Sequence, residues 1–143
     1  MAYIELKNVY KTYKMGEVSI NALDDTNFSV NKGELVVILG PSGAGKTTCL
    51  NILGGMDTVT SGEVIVDDIH VEKMSSKDLI KYRRNDIGFV FQFYNLVSNL
   101  TSLENVELAV QLCKNYHNPE TILTSVGLKD RMNNFPSQLS GGE

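Results

Sequence analysis

The sequence predicts an α/β fold, and three observations carry that prediction. Residues 35–39, Leu-Val-Val-Ile-Leu, are apolar on both faces, as a strand inside a parallel sheet must be. A glycine-rich loop follows at once, and the helical pattern KTTCLNILGGM follows the loop. From residue 100 onward the texture is helical, whereas strand periodicity dominates the first two thirds. The expected architecture is a mixed sheet with an antiparallel β layer at the N-terminus and a helical subdomain in the last third.

At 143 residues the chain has the length of one domain, and no repeat or low-complexity tract divides it. Apolar residues make up 42% and charged residues 21%, an ordinary globular balance. The net charge of -4 supplies no global basic field for nucleic acid or anionic lipid, so any anion must be held by a local device. The LVVIL run falls far short of the roughly 18 apolar residues a bilayer span needs. The opening MAYIELKNVYK has no apolar signal core, so a cytoplasmic location without a direct membrane span is expected. His70 and His117 are isolated, and no metal-ligand spacing exists. Cys49 and Cys113 read as small buried hydrophobes.

Each element has its own signal. Ile4 and Leu6 alternate with Tyr3, Glu5 and Lys7, and TNFSVNKGE repeats the pattern with Phe28 and Val30 on one face. Asn31-Lys32-Gly33 then turns the chain. Cys49, Leu50, Ile52 and Leu53 suit a helix stopped by Gly54-Gly55. EVIVDDIHV reads as a hairpin bent at Asp67-Asp68, because Asp tolerates left-handed backbone. Ser75 with Asp78 marks a helix start in SSKDLIKYRR, and IGFVFQ at 87–92 reads as another buried strand. Thr101 and Glu104 make a capping box ahead of Leu103, Val106, Val110 and Cys113 at helical spacing. Asn118-Pro119 opens a last helix with Ile122, Leu123 and Val126 inside and Gly127 as its stop. Lys81, Arg83 and Arg84 form a solvated helix face or, alternatively, a docking surface. The final LSGG pairs a capping hydroxyl with two flexible positions, as a helix start would.

GPSGAGKT, Gly40 to Thr47, fits G-x-x-x-x-G-K-[ST] at every defined position. Gly40, Gly43 and Gly45, with Ser42 and Ala44 between them, let the backbone curl its N–H groups inward into an anion nest at a helix N-terminus. Lys46 reaches the β- and γ-phosphates, the Thr47 hydroxyl can ligate Mg²⁺, and Thr48 adds a hydroxyl near the α-phosphate. A strand, this loop and a helix in sequence predict nucleoside triphosphate binding by a P-loop NTPase core.

Taken together, Tyr13, GPSGAGKTT, VFQFYNL and LSGG resemble the nucleotide-binding subunit of an ABC transporter, in that family's order and over the whole chain. The phrases YKTYKMG, NILGGMDTVTSGEV and RRNDIGFVFQFYNLVSNLTSLENVELA resemble most the branch serving lipoprotein release, macrolide efflux and antimicrobial-peptide export. The resemblance implies that Tyr13 stacks on adenine, where a plain reading leaves an amphipathic tyrosine at a strand end. It implies that Gln92 touches Mg²⁺ or the attacking water, with the following loop sensing the membrane partner; alone, Gln92 reads as structural. It implies that Ser140, Gly141 and Gly142 face the γ-phosphate bound by a second nucleotide-binding subunit, so that ATP is sandwiched between two chains. Glu143 stands where Gln is commonest in the family.

The same resemblance places residues 1–97 in the β and P-loop core portion and 98–143 in the helical subdomain up to the signature. It puts the remaining catalytic groups beyond the signature: a strand ending in Asp then Glu, and a switch histidine that neither His70 nor His117 matches. The expectation is therefore an incomplete ABC ATP-binding domain that binds ATP and Mg²⁺ without turning ATP over. With LVVIL lacking its flanking strands, it should be marginally stable or self-associating. The complete protein would couple ATP hydrolysis to a permease, as an exporter, from the inner face of the membrane. The alternative is an ABC-type regulatory subunit that controls a membrane partner without moving solute.

Overall fold

The computed structural model describes residues 2–91, 95–111 and 117–143, and the chain divides into two compact units, the first ending at Ile87 and the second beginning at Gly88. The first unit is built on a four-stranded antiparallel sheet. Strand β1, Ile4–Met15, pairs with β2, Val18–Val30, on one edge and with β3, Ser61–Val66, on the other; β4, Ile69–His70, completes the order β2-β1-β3-β4. Gly16, at φ 62, turns the first hairpin between the paired Met15 and Val18. The β3–β4 turn uses Asp67 and Asp68, at φ 48 and 61, the left-handed pair that a tight hairpin requires.

The register shifts after Leu6, where Asn8 takes φ 46 and donates its side chain to Asp25 Oδ1 at 2.9 Å. This bend brings β3 close: a Cβ on Gly62 would lie 2.3 Å from the Asn8 carbonyl oxygen. Leu6, Val9, Leu23, Val64 and Val66 form the buried face of the sheet. Helix α1, Lys46–Leu53, lays Cys49 and Ile52 onto it. Helix α2, Ser76–Asn85, is capped by Ser75 and closes the far side with Tyr82, whose hydroxyl donates to the Leu53 carbonyl at 2.8 Å. Burial pushes the Tyr82 phenol up to about 12. Arg83 donates to the Gly55 carbonyl at 2.5 Å, so it does not belong to the solvated face expected of Lys81, Arg83 and Arg84. Leu50 lies in α1 as expected and is exposed.

The second unit holds α3, Ser102–Val110, and α4, Pro119–Ser125. Thr101 and Glu104 form the expected capping box, and Asn118 caps α4 by accepting from the Thr121 N–H at 3.1 Å. Asn105 stitches the approach to α3, accepting from the Val97 N–H at 2.8 Å and donating to the Leu100 carbonyl at 3.0 Å. Leu123 is buried as expected, but Val126 is exposed, because α4 ends at Ser125 and Gly127 turns away at φ 82. Cys113 lies outside the described residues.

Two expected strands do not form. LVVIL is in no strand and is unpaired, with Leu35, Val37 and Leu39 at 93%, 70% and 86% exposure. Ile38 packs against the core, so the alternation of a strand persists without a ladder. Residues 87–91 of IGFVFQ are likewise unpaired, with Val90 at 92% exposure. The reason is the sheet itself: its pairings are all antiparallel, and no described strand offers either segment a parallel neighbour. The buried parallel layer is thus corrected to two exposed apolar segments. Exposed backbone flanked by Leu35, Val37 and Leu39 is a pairing edge, so light scattering should show mass rising with protein concentration, and Val37→Lys should suppress that rise.

Candidate functional site

The phosphate loop, Gly40 to Gly45, enters α1 directly. Gly43 and Gly45 take φ 81 and 80, and the Ala44 N–H donates to the Pro41 carbonyl at 3.2 Å. Gly45 is wedged against β2: a Cβ there would meet the Ala22 carbonyl oxygen at 2.1 Å and Leu23 at 3.0 Å. Only glycine combines that φ with that approach. Nothing lies within 4 Å of a Cβ on Gly43, and Ser42 is exposed, so the other side of the loop is open.

Helix α1 starts without a side-chain cap and without an acid in its first turn, so no anion of its own neutralises its positive end. Lys46 folds back on the loop and donates to the Gly40 and Pro41 carbonyls, both at 2.7 Å. An amide-lined turn, a helix N-terminus and an ammonium group within one loop suit a polyphosphate. The metal is a different matter. Among the described residues no cluster of His, Cys, Asp and Glu could hold an ion. The exposed Thr47 is a single hydroxyl ligand, which suits Mg²⁺ only as a partner of the phosphates it travels with.

Tyr13 is half-buried on β1, facing Ile20. Its hydroxyl donates to Asp57 Oδ2 at 2.5 Å, and the Lys11 ammonium sits 4.8 Å from its ring centroid. Lys11 also donates to Asp57 Oδ1 and to the Thr58 carbonyl, both at 2.6 Å. The hydrogen bond to Asp57 first, and burial second, raise the Tyr13 phenol. Burial alone would raise the Asp57 carboxyl, but the bonds from Lys11 and Tyr13 outweigh it and hold the group below its ordinary 3.8. Sequence reasoning singled out Tyr13 and missed Lys11 and Asp57. The available signal was Lys11 itself, a cation in step with Val9 on the inward alternation of β1.

Cys49 is buried behind the loop, as expected, and burial raises its thiol. The signature residues belong to the second unit. Gly141 and Gly142 form a turn in which the Ser140 carbonyl accepts the Glu143 N–H at 3.1 Å. The Glu143 carboxylate accepts the Ser140 N–H at 2.8 Å, as the Glu104 carboxylate does from Thr101 at the start of α3, and pairs with Arg131 at 3.0 Å. Gln92 lies outside the described residues. The structure thus gathers Tyr13, the loop, Thr47 and Thr48 in one unit, and holds Ser140 to Gly142 in the other.

A family profile described as ABC transporter matches residues 23–143. The chain belongs to the ABC transporter family. An ABC transporter ATP-binding protein of Thermotoga maritima is 45% identical over 98% of this chain and 62% of its own length. The protein MJ0796 of Methanocaldococcus jannaschii is 46% identical over 98% of this chain and 63% of its own. A macrolide export ATP-binding/permease protein, MacB, of a Shewanella species is 39% identical over 99% of this chain and 23% of its own. Among solved structures, the dimeric MJ0796 cassette superposes with a TM-score of 0.87 at 44% identity, covering 97% of this chain and 64% of that one. A post-hydrolysis dimer of the same cassette, bound to ADP and Pi, gives 0.86 at equal identity and coverage. The ABC chain described here therefore spans less than two thirds of the length of the MJ0796 cassette, whose α/β fold it shares. Among the described residues no helix is long and apolar enough to cross a membrane.

Gly45→Ala must shift the loop off β2 or strain it, and urea denaturation should report a loss of about 1–3 kcal/mol. Asp57 titrates lower folded than unfolded, so its stabilisation is full above the unfolded pKa and is lost as pH falls through the folded one. Acid denaturation below pH 3.8 should accordingly be shallower in Asp57→Asn than in the unsubstituted chain.

Proposed function

We propose that this chain is the nucleotide-binding part of an ABC transporter ATPase subunit, in which binding and hydrolysis of ATP drive a membrane permease. The observation that carries the reading is the loop from Gly40 to Thr47: a backbone nest pressed against β2, an uncapped helix start and Lys46 held against them. In this reading Gly40, Ser42, Gly43, Ala44, Gly45, Lys46, Thr47 and Thr48 hold the polyphosphate, with Thr47 and Gln92 on Mg²⁺ and Tyr13 under the base. When bound, Mg²⁺ would neutralise the phosphate oxygens and polarise the transferred group. Ser140, Gly141 and Gly142 serve the nucleotide of a second subunit. Support for that pairing comes from the dimeric MJ0796 cassettes, one of them holding ADP and Pi. Support for a permease, and for export, comes from MacB, which joins an ATP-binding part to a permease in one chain. The whole protein would then work at the cytoplasmic face of the membrane, attached through its permease.

The assigned groups comprise an ammonium, hydroxyls, amides and an aromatic ring, and no carboxylate to polarise water. The 143-residue chain is therefore proposed to bind nucleotide with negligible turnover. Calorimetry with ATP and magnesium should detect uptake, weakened at least tenfold in Lys46→Ala through the lost charge-assisted bonds. A phosphate-release assay should stay at background. Absence of uptake by folded protein would refute the binding, and turnover abolished by Lys46→Ala would refute the inactivity.

A further inference from the structure

Among the described residues Lys11 is the only charged side chain in the buried set, at 8% exposure. Removing an ammonium group from water is costly, and a well-packed apolar pair would fill such a site without that cost. What the charges supply instead is direction. The Lys11 ammonium is fixed by Asp57 Oδ1 and by the Thr58 carbonyl, and from there it covers one face of the Tyr13 ring. The second Asp57 oxygen takes the Tyr13 hydroxyl. One carboxylate thus bridges the cation and the phenol, and the ring is held by its edge and by one face.

Asp57 is itself anchored to α1. Its N–H donates to the Asn51 carbonyl at 3.2 Å, and the neighbouring Met56 N–H donates to the same oxygen at 2.8 Å. The segment that follows the helix carrying the phosphate loop therefore fixes the aromatic ring. A ring located in this way has little orientation left to lose when a planar group stacks on it.

We propose that Lys11 and Asp57 are positioning residues for the base of the nucleotide: they set the Tyr13 ring at a fixed place relative to the phosphate loop. The role rests on the nucleotide reading above and deepens it. It assigns base affinity to a part-buried ion pair that need not touch the ligand, and leaves phosphate affinity to the loop alone.

The test is calorimetry on the 143-residue chain with ATP and, separately, with inorganic tripolyphosphate, which carries the phosphates and no base. Tyr13→Phe keeps the ring and removes its anchor; Asp57→Asn and Lys11→Met remove the ion pair. Each should weaken ATP about threefold to tenfold, the scale of a lost fraction of base stacking, and leave tripolyphosphate within about twofold. In a Tyr13→Ala background, Asp57→Asn should cost ATP affinity nothing more, because the residue acts only through the ring. Equal losses for ATP and tripolyphosphate, or full additivity with Tyr13→Ala, would overturn the positioning role while leaving nucleotide binding intact. If the unsubstituted chain takes up neither ligand, the nucleotide reading itself falls and the role falls with it. Should Asp57→Asn or Lys11→Met fail to fold, Tyr13→Phe decides: unchanged ATP affinity at an unchanged melting temperature overturns the proposal.

Discussion

The Ala22 carbonyl oxygen stands 2.1 Å from where a Cβ on Gly45 would be, and the phosphate loop takes its shape from that closeness. A backbone nest works only if consecutive N–H groups converge, and convergence needs residues with positive φ, here Gly43 and Gly45. Packing against β2 then fixes where the nest sits. Beyond it α1 begins uncapped, and Cys49 and Ile52 tie the helix to the sheet. The loop is therefore a product of sheet, helix and glycine together, and a change in any of them moves the amides.

The same economy governs the rest of the first unit. Burial of Leu6, Val9 and Val64 on one face of β1 and β3 provides the apolar platform. At the end of that stripe, where the next inward position holds Lys11, the platform becomes a polar bridge to Asp57 and Tyr13. Apolar packing thus holds the helix down, and hydrogen bonds hold the ring in line with it. The two kinds of force serve different ends, since packing is non-directional and hydrogen bonds are not.

LVVIL illustrates the opposite case, a segment whose composition promises burial that its surroundings do not supply. Val36 and Ile38 line an apolar cleft beside Phe28 and Val30, while Leu35, Val37 and Leu39 are the most exposed residues of the run. The amphipathic pattern of an edge is imposed on a run with no polar face. Strand β2 shows what was needed: its backbone meets β1 from Val30 back to Val18, and its polar residues can point to water. A strand is a property of two backbones, so apolar sequence specifies a preference for burial and not the partner that fulfils it.

By itself the sequence determined what depends on near neighbours. The Ser75, Thr101 and Asn118 caps, the Asp67-Asp68 turn and the phosphate loop were all legible, because each is a bond or backbone state within a few residues. The ABC family was legible too, through motifs whose order needs no coordinates. Tertiary structure alone decided which apolar runs found a sheet, that Arg83 folds onto Gly55, and that Val126 lies outside. It alone joined Lys11 to Asp57, two residues far apart in the chain that the pairing of β3 with β1, Ser61 opposite Tyr10, brings within 2.6 Å. Local rules act through covalent proximity, whereas these pairings depend on which surfaces the whole unit manages to bury.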